Sequence, residues 1–215
     1  MQLNDLRNWM TGEDCVVVGC GPSAQEVARD CPKGWEGDYA PHWTLACNRS
    51  VEFAQPDFAV CVEPARDPLW KLIRQHAPLI VFSHIWDNRY GVRPLSRMVK
   101  IGSKNVLDWL TPGHTNPAAL TLAQCPFFAT ACAVLLGFET IGLIGVDMTN
   151  DETHTWPNVD RENLAYGRLA DVASSMGSRI SNLSPTSRLT SIPHGSWEEV
   201  NRKCQTLEKS RSPAP

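Results

Sequence analysis

Residues 15–26, Cys15-Val16-Val17-Val18-Gly19-Cys20-Gly21-Pro22-Ser23-Ala24-Gln25-Glu26, decide how this chain folds. The β-branched run Val16 to Val18 predicts a buried strand, and two glycines predict a turn free of Cβ crowding. Ser23 with Glu26 three residues on forms a capping-box signature for a helix from Ala24 to about Asp30. Strand, glycine turn and helix start together make an anion site. Open amides and the positive end of the helix dipole would face a phosphate, with Gly19, Cys20, Gly21, Pro22 and Ser23 lining it. A ligand-free strand-to-helix turn explains the same residues, because Gly-x-Gly turns are common.

Outward from this stretch the alternation of strand and helix continues. Apolar runs predict strands at Trp43 to Cys47, Phe58 to Val62, Leu79 to Phe82, Met98 to Ile101, Thr140 to Val146 and Ser178 to Leu183. Helices are expected over Asn4 to Met10, from Pro68 to His76 behind an Asp67 cap, and over Pro126 to Leu136 with Gly137 as its stop. Asn116-Pro117 reads as a further cap and first helical residue. Asp160 is the expected N-cap of a helix from Arg161 to Ser175, with Leu164, Leu169, Val172 and Met176 at helical spacing. Ser196 and Glu199 repeat the capping box for a C-terminal helix to about Lys209. Strands that are apolar throughout need cover on both faces. The expected fold is therefore α/β, one Rossmann-like domain over 1–209 with a mostly parallel sheet and helices on both sides, and 210–215 as a frayed tail. Ligands of such sheets gather beyond the carboxyl ends of the strands, which selects Gly19 to Ser23, Asn48, Glu63, Ser83 and Asp147.

Composition narrows the function. The 215 residues are 42% hydrophobic, enough for one sizeable core, and carry a net charge of −3 with both signs interspersed. Neither nucleic acid nor an anionic membrane is an expected partner of such a surface. Eight cysteines without a C-x-x-C pair, several inside apolar runs, predict buried free thiols in a reducing compartment such as the cytoplasm. Met1 to Asp14 lacks the apolar centre of a signal peptide, and Gly137 and Glu139 split the longest apolar stretch, so no membrane span is expected. No His/Cys spacing resembles a zinc site, and no Gly-x-x-x-x-Gly-Lys-Ser/Thr is present. Gly19-x-Gly21-x-x-Ala24 satisfies the relaxed dinucleotide fingerprint. The second strand, however, ends in Asn48-Arg49 where that chemistry calls for an acidic ribose ligand.

Five segments in order resemble one superfamily: Gly19-Cys20-Gly21-Pro22-Ser23, Cys47-Asn48-Arg49, Pro56-Asp57-Phe58, Ala133 to Phe138 leading into Ile144-Gly145-Val146-Asp147, and Asn182-Leu183-Ser184-Pro185-Thr186-Ser187. They are similar to the bacterial sialyltransferases that use a CMP-sugar donor and to the 6-hydroxymethylpterin pyrophosphokinases (MptE-like proteins). The resemblance covers roughly Val16 to Pro193. It implies a nucleotide-dependent transferase, foremost a glycosyltransferase that needs no cofactor. Its partners would be a nucleotide or nucleotide-sugar and a hydroxyl acceptor, with a second copy of the chain as a further partner. In the family pattern an Asn stands where this chain has Cys20, and Cys125-Pro126 replaces a small-residue helix entry. Asn48 matches the Asn that holds the nucleotide, and Asp147 stands at a strand's carboxyl end on the same side. The pyrophosphokinase branch implies Mg²⁺ on Asp147 and Asp151, with Glu63 as a further ligand. A non-catalytic nucleotide-binding protein is the third class on this fold.

For the general base the residues offer His154, whose imidazole titrates near neutral pH in a polar loop on the ligand side, and Asp160, which a gapless match puts at the sialyltransferase histidine. His194 is a second imidazole, Tyr166 a hydroxyl for a departing phosphate, and Trp156 a ring for stacking. Each is equally explained as surface or packing.

Overall fold

The structure is a computed structural model that describes residues 3–30, 43–54, 56–61, 75, 80–83, 98–100, 110, 125–149 and 158–200. The expected buried runs are strands. β1 (Asp14–Val18), β3 (Phe58–Cys61) and β6 (Thr140–Ile144) are buried at every residue. With β2 (Trp43–Cys47), β4 (Ile80–Ser83), β5 (Met98–Lys100) and β7 (Arg179–Asn182) they form one seven-stranded sheet in the order β5-β4-β3-β2-β1-β6-β7. Every pairing is parallel, and Val16 of β1 stands between Thr44 of β2 and Gly142 of β6.

Alternate side chains feed two cores, as the strand pleat requires. Cys15, Val17, Leu45, Phe58, Ile141 and Leu143 pack under α3 (Cys125–Leu136), which is buried at every residue but Pro126, and under α4 (Val159–Ser175). Val16, Val18, Ala46, Ala59 and Ile144 face the other way. There they meet Ala24 of α1 (Pro22–Asp30), Val51 and Ala54 of α2 (Val51–Ala54) and Val200 of α5 (Trp197–Val200). The expected α/β sheet, covered on both faces, is what forms.

Several helix ends differ from the sequence reading, each for a local reason. Pro22 takes the first helical position of α1, where its missing N–H costs nothing, so the helix starts two residues before Ala24. Asn158, not Asp160, caps α4 by accepting the Arg161 N–H on Oδ1 at 2.9 Å. Asp160 sits within the first turn, where a negative charge suits the helix dipole. Leu164 is 56% exposed, because the buried face of α4 runs instead through Glu162, Ala165, Tyr166, Leu169 and Ala173. Near the N-terminus a 3-10 turn over Leu3–Leu6 replaces the longer helix. The amides of Asn8 and Met10 are spent on the last carbonyls of α3, Leu135 and Leu136, at 2.9 and 2.7 Å. Gly137 ends α3 with φ +88° as expected, and the Ser196/Glu199 box that opens α5 forms both of its bonds. The helices expected over 68–76 (but for Gln75) and from Asn116, and the chain beyond 200, lie outside the described residues.

Because β1 has β2 on one side and β6 on the other, the chain leaves β1 in one direction and returns on its opposite edge. That reversal makes β1/β6 the topological switch point. The turns leaving these strands interlock: Gly19 N–H donates to Ile144 O at 2.8 Å and Gly21 N–H to Gly145 O at 2.9 Å. A Cβ on Gly19 would collide with the Gly145 carbonyl. Gly19→Ala is therefore expected to lose about 3 kcal/mol in urea unfolding, and a loss under about 0.5 kcal/mol would contradict the close approach.

Candidate functional site

At the start of α1, Ser23 N–H donates to Asp147 Oδ2 at 2.9 Å and Ser23 Oγ donates to Oδ1 at 2.6 Å. The same hydroxyl oxygen accepts from Gly145 N–H at 3.0 Å and lies 2.7 Å from Ser184 Oγ. Ser23, Asp147 and Ser184 are all buried. A carboxylate 124 residues away thus already occupies the helix-end position suited to an anion. The Ser23/Glu26 capping box does not form, since the Ser23 hydroxyl is engaged with Asp147 and Glu26 is exposed. Gly19, Gly21, Ser23 and Ala24 all spend their N–H groups inside the protein, and Pro22 has none. Among the described residues, only the Cys20 amide of this turn lacks a partner. A Cβ on Gly21 would strike Asp147 Oδ2, so that glycine serves the carboxylate.

The turn's other flank reaches β2. Cys20 Sγ donates to Cys47 O at 3.3 Å, which sets Gly19 to Ser23 and Asn48 side by side at the carboxyl edge of the sheet. Asn48 adopts a left-handed φ of 51° and opens a 3-10 turn over Asn48–Ser50. Its Oδ1 accepts from Cys125 Sγ at 3.0 Å. The Nδ2 hydrogens have no partner among the described residues. Burial pushes the Cys20 thiol up, against a smaller pull from the Ser50 and Arg49 amides, so it stands there as a neutral thiol. Arg49 is exposed and pairs with Glu52 at 2.9 Å. Five of the described cysteines are buried and all six are free thiols.

The first turn of α4 faces the same edge, because a helix feeding a parallel strand starts at the strands' carboxyl ends. Asp160 is exposed there. Glu162, which the sequence reading passed over, is 8% exposed and its Oε2 has no partner among the described residues. One turn on, the Tyr166 ring packs edge-on to Phe127 at 5.2 Å, and among the described residues only Thr130 approaches its hydroxyl, short of a well-formed hydrogen bond. Tyr166 is therefore packing, as its helical spacing allowed. Burial, then Cys47 and Glu162, raise its phenol, against a smaller lowering by Thr130. The signal for Glu162 was a carboxylate within the stripe Val159, Glu162, Tyr166, Leu169 and Ala173, whose spacing is that of a buried helix face.

His194 is exposed and bridges Asn182 beyond β7, and Ser83 ends β4 beside Cys61. His154, Asp151, Trp156 and Glu63 lie outside the described residues. Asp147 commits both carboxylate oxygens to Ser23, and no group of three His, Cys, Asp or Glu residues is placed to hold a metal among the described residues. Nor, among them, is any helix long and apolar enough to cross a membrane.

No family model matches this chain, and no curated protein matches it in sequence. Solved structures do share the fold. The sialyltransferase CstII from Campylobacter jejuni, in complex with cytidine-5'-monophosphate, matches at 12% identity over 84% of each chain with a TM-score of 0.50. The same enzyme with CMP-3FNeuAc gives 12% identity, 84% of each chain and 0.53. The MAf glycosyltransferase from Magnetospirillum magneticum AMB-1 matches at 16% over 97% of this chain, with a TM-score of 0.54. This chain spans only 40% of the MAf protein's length. At such identities the likeness establishes the fold, an α/β architecture shared with these glycosyltransferases.

Burial raises the Glu162 carboxyl from 4.5 to about 7, against a smaller lowering by Arg161. The folded state therefore holds this proton more tightly than the unfolded chain. Its contribution to stability is complete below about pH 4.5 and is lost as pH rises through about 7. Glu162→Gln removes that dependence. Between pH 5 and 8 the variant is expected to gain about 2 kcal/mol on the wild type in urea unfolding, whereas parallel pH curves would contradict the buried carboxyl.

Proposed function

We propose that this protein is a glycosyltransferase that takes a nucleotide-sugar donor of the CMP-sugar type and a hydroxyl acceptor. The observation that carries the reading is a pair of half-buried donor groups at the carboxyl edge of β1 and β2. Asn48 holds a left-handed backbone, and neither its Nδ2 nor the amide of Cys20 beside it has a partner among the described residues. A buried or half-buried amide without a protein partner is a binding group in waiting, and a ribose, base or phosphate oxygen satisfies it. Support comes from the fold, which is shared with a sialyltransferase solved with CMP and with CMP-3FNeuAc.

In this reading Asn48 holds the nucleoside and the Cys20 amide meets the phosphate. Asp147 keeps its place on Ser23 and fixes the turn rather than touching the donor. Its engagement counts against the alternative of Mg²⁺ on Asp147 and Asp151, as in a pyrophosphokinase. The start of α4 supplies the acceptor side, and the sequence offers His154 and Asp160 as bases.

Isothermal titration with CMP, UDP and GDP and their sugars tests the proposal. CMP is expected to bind, and Asn48→Ala to weaken it about tenfold, roughly 1.4 kcal/mol, with an unchanged fold. Silence across the panel, or an Asn48→Ala variant that binds as the wild type does, would overturn it.

A further inference from the structure

We propose that Glu162 is the general base of this protein, the group that takes the proton from the attacking hydroxyl; the assignment rests on the glycosyltransferase reading above. Glu162 belongs to the buried face of α4, where Ala165, Tyr166, Leu169 and Ala173 are its neighbours along the stripe. Stability alone favours an apolar residue at such a position. Instead the chain places a carboxylate there, 8% exposed, with Oε2 unpartnered among the described residues. Among the described residues the cation that acts on it is Arg161 of its own helix, whose effect is smaller than that of burial, and α3, which packs on this side, has the sequence CPFFATACAVLL without a charged residue.

The surroundings join Glu162 to the nucleotide side of the edge. Tyr166, one turn along the same buried face, packs against Phe127 of α3 and shares a core with Cys47, the last residue of β2. Asn48 follows Cys47 directly, and Cys125 at the start of α3 bonds Asn48. Among the described residues, the titratable groups that bear on the carboxylate are Arg161 and Tyr166, both from α4. Asp160 is two residues away but exposed, so it stays in water while Glu162 is shielded from it.

Water exclusion suits the chemistry. A carboxylate in this setting accepts a proton readily because protonation ends the cost of burying its charge, and a proton affinity matched to neutral pH is what a general base needs. In the transfer the acceptor oxygen forms a bond to the sugar carbon as the bond from that carbon to the donor's phosphate oxygen breaks. The electron pair of the broken bond leaves with the nucleoside monophosphate, and the acceptor proton passes to Glu162.

The test uses the full chain and CMP-N-acetylneuraminate, with water as the acceptor. Glu162→Gln is expected to lower kcat about 100-fold or more. CMP affinity should stay within about threefold, and the acidic limb of the kcat/KM profile, centred near pH 7, should disappear. Glu162→Asp should keep that limb at a reduced rate, which separates lost chemistry from lost folding. A Glu162→Gln variant within threefold of the wild-type kcat overturns the assignment. So does a limb that persists in it, or one that vanishes instead in Asp160→Asn or His154→Ala. Wild-type binding of CMP without turnover of any CMP-, UDP- or GDP-sugar overturns it too, while sparing nucleotide binding. No binding at all removes the glycosyltransferase reading, and the base with it.

Discussion

The contact on which the structure turns is the carboxylate of Asp147 set against the start of α1. Two bonds to Ser23, through its amide at 2.9 Å and its hydroxyl at 2.6 Å, cap that helix from across the switch point. Nothing short-range in the sequence could supply such a cap, because the donor and acceptor are brought together only when β6 pairs with β1. Once formed, the contact dictates its neighbours. Gly21 must lack a Cβ to admit the carboxylate, Gly19 to admit the Gly145 carbonyl, and Gly145, at φ +72°, lies against Ala24. Ser184 reaches the same hydroxyl from beyond β7, so three strand ends are fastened at one serine. A buried, fully bonded carboxylate of this kind is costly to disturb, since removing one partner strands the other.

That fastening decides where a ligand has room to bind. The crevice between β1 and β6, which the general rule for parallel sheets favours, is closed by the protein's own bonds. On the β1/β2 flank Cys20 and Asn48 stand side by side, with Cys125 donating to the Asn48 side-chain oxygen and no partner for its Nδ2 among the described residues. Across the same edge, Glu162 occupies a core position on α4 at a cost to stability that grows with pH. Sites of function are where such costs are retained, and under the proposed glycosyl transfer the two features stand at the two ends of one reaction.

Much of this was legible in the sequence. The runs of β-branched and apolar residues marked every strand among the described residues, because strands buried on both faces have few ways to be written. Asn48 and Asp147 were picked out by their place after strands, and the structure sets both beyond the carboxyl ends of β2 and β6. The glycine turn was read for what it could offer a phosphate, and its Gly19, Gly21 and Ser23 amides proved to be occupied by partners 120 or more residues away in the chain, which no local pattern reveals. The α4 face was misphased for a related reason. Leu164 looks like an anchor by composition, yet the stripe is set by Tyr166 against Phe127, a contact made only in the fold. With the phase shifted, Glu162 falls on the inside and Leu164 on the outside.

The most direct measurement is a crystal structure of the protein with CMP bound. The account predicts cytidine and ribose against Asn48 and the phosphate at the Cys20 amide, with Asp147 still bonded to Ser23. A phosphate seated on the Ser23 amide with Asp147 displaced, or a nucleotide bound away from Asn48, would contradict it.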